Sequence, residues 1–268
     1  MNTMNVEVNG VRLAVETFGE PADPAVLLVG PSLLSWPEEF CRALGRFVIR
    51  YDPRDSGLST GYPAQAPPYT LRDLVSDAAA LPAVFGASRA HVVGLSTGGW
   101  IAQLLALDHP ALVASLTLVA TRPTAPGPAD PDLPEHAERV MKAVMNGPDW
   151  SDRPAVIEHL VGFERIMAGE GAFDEAAARR RAERHRDPHA STVNLAFIDH
   201  GERWRERLGG IRVPTLVVHG GADPFFPLGN GEALAREIPS ARLLTVEGAG
   251  HELPREAWKE ITAHIDND

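Results

Sequence analysis

Cysteine is almost missing from this chain of 268 residues: Cys41 stands alone, so an intrachain disulfide cannot form and a cysteine-built metal cluster is excluded. Lysine is nearly as scarce, with only Lys142 and Lys259, a bias that reflects nucleotide composition more than function. Positive charge is short overall. The 25 lysines and arginines against 36 acidic residues leave a net charge of −11, which speaks against a nucleic-acid or anionic-membrane partner. No apolar run approaches a membrane span, and the opening MNTMNVEVNG lacks the basic and apolar segments of an export signal, so a cytoplasmic location is expected. There is no G-x-G-x-x-G after a strand, no P-loop and no histidine pair at metal-ligand spacing beside a carboxylate. Neither a metal nor an organic cofactor is expected.

What the chain does have is enough apolar material, 44% of its residues, to bury about three quarters of its unfolded surface in one large domain. Two short strands, VEVNG and VRLAVETFG, flank Asn9-Gly10 and read as a hairpin. Buried-type strands then alternate with helical segments: AVLLVG (25–30), RFVIRYD (46–52), a helix over 69–86, a strand at 91–95, a helix over 97–108 and ASLTLVA (114–120). After a proline-rich opening, residues 121–208 show helical patterns only, with Val156, Leu160, Phe163 and Met167 on one face. Strands return with PTLVVHG (214–220) and ARLLTVEG (241–248). The expectation is an α/β domain with a mostly parallel sheet and helices on both faces, formed by residues 1–120 and 209–268, into which 121–208 are inserted as a helical cap.

HVVGLSTGGW (91–100) sets Ser96 between two glycines where a strand turns sharply into a helix. Such a turn strains the serine backbone and exposes its hydroxyl, while Gly94 and Gly98 let the helix approach the strand. Thr97 begins the helix, so its unpaired N–H can face an anion beside that hydroxyl. Serine is also a good helix cap, so the motif needs partners to be decisive. Asp223 follows one later strand and His251 the next, at the carboxyl edge where open parallel sheets bind ligands. The chain order Ser, Asp, His is that of a nucleophile elbow with its acid and base.

On these residues the sequence resembles the α/β-hydrolase superfamily. YDPRDSGLST looks like its loop after the fourth strand, GLSTGGWIAQ like its nucleophile elbow, VPTLVVHGGADPFFP like its acid segment and IPSARLLTVEGAGHELP like its histidine segment. GEPADPAVLLV, WPEEF and AHVVGLSTGG are most similar to the aclacinomycin methylesterase group, and the elbow and acid segments also resemble those of 3-oxoadipate enol-lactonases and cofactor-free perhydrolases. The resemblance implies a serine hydrolase acting on a small-molecule ester or lactone, with a methyl ester on a polyketide-like scaffold as the narrower expectation, Ser96 as nucleophile, His251 as base and Asp223 orienting the imidazole. A ligand-binding protein or cyclase that keeps the fold without hydrolysis is the alternative. Oligomeric state is open between monomer and homodimer.

The superfamily's second oxyanion donor falls on VGPSLL, and read straight across it is Pro31, which has no N–H. A shifted register using the N–H of Ser32 or Leu33, the Ser32 hydroxyl, or an incomplete hole are the open readings. The shifted register is favoured. Leu33, Leu34, Trp36, Trp100 and Phe225 lie beside the motifs and are expected to line an apolar pocket, although Trp100 suits the core equally well. Asp52, Arg54 and Asp55 in DPRDSG read as loop-holding residues. The arginine-rich stretch 176–189 reads as a solvated helix face, with steering of an anionic substrate as its sharper alternative.

Overall fold

Asn9 and Gly10 both take left-handed backbone angles, φ 46° and 76°, so the chain reverses in two residues between β1 (Met4–Val8) and β2 (Val11–Phe18), and Val8 pairs with Val11. In the computed structural model, which describes residues 3–63, 65, 67–126, 130–171, 173–185, 194–195 and 198–266, β2 runs antiparallel to β4 (Phe47–Tyr51). Beyond it the sheet is parallel through β3 (Ala25–Val29), β5 (Ala90–Leu95), β6 (Val113–Val119), β7 (Thr215–Gly220) and β8 (Ala241–Val246). The order is β1-β2-β4-β3-β5-β6-β7-β8. The strands lie where the apolar runs predict them, with ends shifted by a residue or two.

The central strands are buried on both faces, which is why they read as continuous apolar runs rather than alternating ones. Alternation survives in where their side chains go. Ala25, Leu27 and Val29 join one core cluster, while Val26 and Leu28 join the other. Helix α1 (Glu38–Ala43) contributes Phe40 and Cys41 to the second cluster, whose burial pushes the Cys41 thiol up to about 11. Helices α2 (Leu71–Val84) and α3 (Thr97–Asp108) cover the first face, and α2 starts on a capping box between Thr70 and Asp73.

Between β6 and β7 the described residues hold α4 (Glu138–Met145), α5 (Arg153–Met167) and α6 (Glu175–Arg184), and β-pairing only as an isolated bridge from Thr70 to Asp199. Both ends of this segment are packed into the main core, through Ala125 on one side and Ile198, Trp204 and Leu208 on the other. Trp204 Nε1 donates to Gln103 Oε1 of α3 at 2.9 Å. Helix α7 (Gly229–Glu237) follows β7 and packs on the first face, and α8 (Trp258–Asp266) places Ile261 and Ile265 against the second. Each fully buried Leu, Ile or Val of these layers contributes about 1.5–3 kcal/mol of transfer free energy. Among the described residues no helix is long and apolar enough to cross a membrane.

Candidate active site

Ser96 sits between β5 and α3 with φ 56° and ψ −121°, a region that costs a non-glycine residue about 1–3 kcal/mol. Three backbone-anchored contacts hold it there. Its N–H donates to Val119 at 3.0 Å, and its carbonyl accepts from Gly99 N–H at 2.9 Å and from Thr121 Oγ1 at 2.7 Å. The glycines are steric requirements: a Cβ on Gly98 would stand 2.0 Å from the Val29 carbonyl oxygen, and one on Gly94 2.6 Å from that of Gly98. The close approach they permit puts the N-terminus of α3 against the end of β3.

The three chemical groups predicted from sequence come together. Asp223 lies in the loop after β7 with its side chain fully buried. Its Oδ1 accepts the N–H groups of Phe225 and Phe226 at 2.8 and 2.9 Å, which leaves Oδ2 for His251 Nδ1 at 2.9 Å. Burial acts to raise this carboxyl, but the facing His251 charge and hydrogen bond, His219 and the backbone N–H of Phe226 outweigh it and hold Asp223 below the ordinary carboxylate range. An ionised acceptor fixes the His251 proton on Nδ1, so Nε2 is the acceptor that meets Ser96 Oγ at 2.8 Å. The arrangement can take the hydroxyl proton as oxygen attacks an electrophile, and hold the cation that results.

Several contributors to this geometry are not visible in the motifs. His219 of β7 is fully buried, 3.6 Å from Asp223 Oδ2, and donates Nε2–H to the Phe226 carbonyl at 2.6 Å, which ties the acid loop to its strand. Burial keeps the His219 pKa below the ordinary histidine value. The His251 ring is flanked by Phe225 and Phe226, with centroids at 4.9 and 5.3 Å, and His136 stacks on Phe225 and donates to its carbonyl. The end of α5 docks on the histidine loop through backbone alone. His251 N–H donates to Met167 at 2.8 Å and Glu170 N–H to Gly248 at 2.7 Å, across a contact so tight that a Cβ on Gly169 would lie 1.9 Å from the Gly248 oxygen. Gly169 and Gly248 lie 79 residues apart, and neither carries a local signal of such a contact.

The expected anion donors divide. Thr97 is the first residue of α3 and its N–H has no intrahelical acceptor. The Leu33 N–H is engaged within the protein: it donates to Asp52 Oδ1 at 2.9 Å, buried. Ser32 Oγ accepts from Leu34 N–H at 3.2 Å, which starts a short 3-10 turn, and among the described residues the Ser32 N–H has no acceptor. Ser32 to Leu34 also form one wall of a cavity of about 650 Å³, faced by Leu58, Arg153 and Arg184.

The pocket expectation needs correction at one position. Trp36 is fully buried against Phe40 and packs in the second core cluster, because the turn at 33–35 swings it under the sheet. Trp100 is also buried, but edge-on to His200 and 6.4 Å from the Phe226 ring, while Phe225 is only partly covered. Asp52, Arg54 and Asp55 of DPRDSG hold their loop to neighbouring segments. Asp52 accepts from Leu33 and Leu58, Arg54 clamps Asp77 at 2.7 and 2.9 Å, and Asp55 accepts from Tyr62, Tyr69 and Asn194. In the arginine-rich stretch, Arg179 pairs with Glu158 and Arg181 with Glu164, both on α5; positions 186–189 lie outside the described residues.

Residues 24–256 match the family described as alpha/beta hydrolase fold. The rhodomycin D methylesterase of Streptomyces sp. strain C5 is 32% identical, over 99% of this chain and 97% of that protein, and the rhodomycin D methylesterase of Streptomyces peucetius is equally similar over the same shares. Among solved structures, a hydrolase of Pseudomonas aeruginosa superposes with a TM-score of 0.75 at 26% identity, covering 99% of this chain and 97% of that one.

Proposed function

Because this chain belongs to the α/β-hydrolase fold family, we propose that it is a carboxylic ester hydrolase that works through Ser96, His251 and Asp223. The observation that carries the reading is the continuous run of hydrogen bonds from Ser96 Oγ through both His251 nitrogens to a buried carboxylate, 2.8 and 2.9 Å. Ser96 Oγ attacks the ester carbonyl as Nε2 takes its proton, and Asp223 stabilises the imidazolium. The proton then goes to the leaving alcohol, and water activated by the same nitrogen releases the acid from the acyl-enzyme. The developing oxyanion is held by Thr97 N–H and by Ser32 N–H, the donor left available once Leu33 is bound to Asp52.

The substrate we propose is a methyl ester on a polyketide-like scaffold, supported by similarity over nearly the whole chain to two proteins named for methylesterase activity on rhodomycin D. Residues 121–208 act as its cap, and a cavity of about 650 Å³ opens beside Ser32, the residue that carries the second proposed donor. The direct test is incubation with a fluorophosphonate and intact mass measurement. One adduct per chain, mapped to Ser96 and lost in Ser96→Ala, is expected. A folded protein that takes up no label would refute the nucleophile and leave a non-hydrolytic use of the fold.

A further inference from the structure

Arg122 follows β6 at the carboxyl edge of the sheet, one residue after the Thr121 that hydrogen-bonds the Ser96 carbonyl. Its own carbonyl accepts from Gln103 Nε2 of α3 at 3.0 Å, so its backbone is fixed in the wall behind the nucleophile. The residue is only 9% exposed, yet among the described residues its guanidinium donates to no acceptor and lies within 4.0 Å of no carboxylate, and Nε is buried without a partner. The acids whose charge reaches it are Glu135, which is exposed, and Asp130, which is already taken by Arg203 and Arg205. Its guanidinium instead stands 5.8 Å from the Phe226 ring, and that ring is 5.3 Å from His251 on which the proposed chemistry turns.

A buried cation without a counter-ion is costly, and burial here lowers the Arg122 pKa. Among the described residues, the buried Arg50 is paired with Glu16, and Arg54, whose side chain is 8% exposed, is paired with Asp77. We infer that Arg122 is a specificity residue that binds a carboxylate of the substrate, so the preferred ester carries a free acid elsewhere on its skeleton. The guanidinium fork matches a carboxylate bidentately, and a position one aromatic ring from His251 sets that acid a few bonds away from the scissile ester.

The inference rests on the ester-hydrolase reading, and its test separates the two. Hydrolysis of monomethyl adipate and of methyl hexanoate, which differ by the distal acid, is compared in wild type, Arg122→Met, Arg122→Lys and Glu135→Gln. Wild type is expected to favour the half-ester at least tenfold in kcat/KM. Arg122→Met should lose that preference through KM, Arg122→Lys should recover part of it, and Glu135→Gln should keep it. Adipate itself should raise the Tm of wild type and not that of Arg122→Met, a readout that needs no turnover. Arg122→Met alone should melt no lower than wild type, because it removes an unpaired charge. Turnover of methyl hexanoate with no preference for the half-ester would overturn the inference and leave the esterase standing. Equal preference in Arg122→Met, or no shift of wild-type Tm with adipate, would overturn it as well.

Discussion

Asp223→Asn changes one atom in a fully buried side chain, and the structure dictates which way the new amide must face. The Asp223 Oδ1 position receives two backbone N–H groups, from Phe225 and Phe226 at 2.8 and 2.9 Å, so the asparagine oxygen must stay there and its NH₂ must take the place of Oδ2. Two donors would then meet at the 2.9 Å contact with His251 Nδ1 unless that nitrogen gives up its proton. The imidazole therefore adopts the other tautomer, with the proton on Nε2, 2.8 Å from Ser96 Oγ and aimed at it. A protonated Nε2 cannot accept the serine proton, and the cation formed in the transition state loses its counter-charge. The wrong tautomer is expected to lower kcat by about 10⁴, or roughly 5.5 kcal/mol of barrier, with the fold intact. Steady-state hydrolysis of p-nitrophenyl butyrate gives kcat, and circular dichroism with a melting curve establishes that the variant is folded. A folded Asp223→Asn protein within tenfold of wild-type kcat would show that the carboxylate does not set the tautomer, and the mechanism would fail with it.

Other perturbations probe the supports of that site. Gly169→Ala forces a Cβ into the Gly248 oxygen, 1.9 Å away, and should displace the His251 loop and cut kcat about a hundredfold; unchanged turnover would show that the α5 contact does not position the histidine. Glu16→Ala leaves Arg50 buried without its 3.0 Å partner and should cost on the order of 3 kcal/mol, a Tm fall of roughly 6–12 °C in a domain of this size. Burial works to raise the Glu16 carboxyl, but Arg50 and Thr3 hold it below its ordinary value. Its contribution is therefore complete above the ordinary glutamate range and is lost as pH falls through the depressed value, so the gap between wild type and Glu16→Ala measured by urea unfolding should narrow only in that acid window. Arg179 and Arg181 are paired with Glu158 and Glu164, so Arg179→Gln should leave the salt dependence of kcat/KM for an anionic half-ester as it is in wild type, and a flattened salt response in that variant would restore a steering role to α6.

The sequence alone was enough to locate the strands and to single out Ser96, Asp223 and His251 after three of them, because each depends on local pattern. An apolar run such as AVLLV is a buried parallel strand wherever it packs, and glycines at 94 and 98 around Ser96 announce a turn whatever lies beyond it. Partner choice is not local, and there only the tertiary structure decided. Asp52 reads as a loop residue until the fold brings Leu33 N–H to it, and that single 2.9 Å bond engages one of the two N–H groups that the sequence offers as anion donors. Trp36 sits beside the motif in sequence, yet the 3-10 turn at 33–35 carries it into the core against Phe40. His219 lies four residues before Asp223 in an ordinary strand, and only the folding back of the Phe226 carbonyl gives its ring an acceptor. Arg122 is one arginine among many in the sequence; burial with no carboxylate paired to it among the described residues is a property of three-dimensional packing.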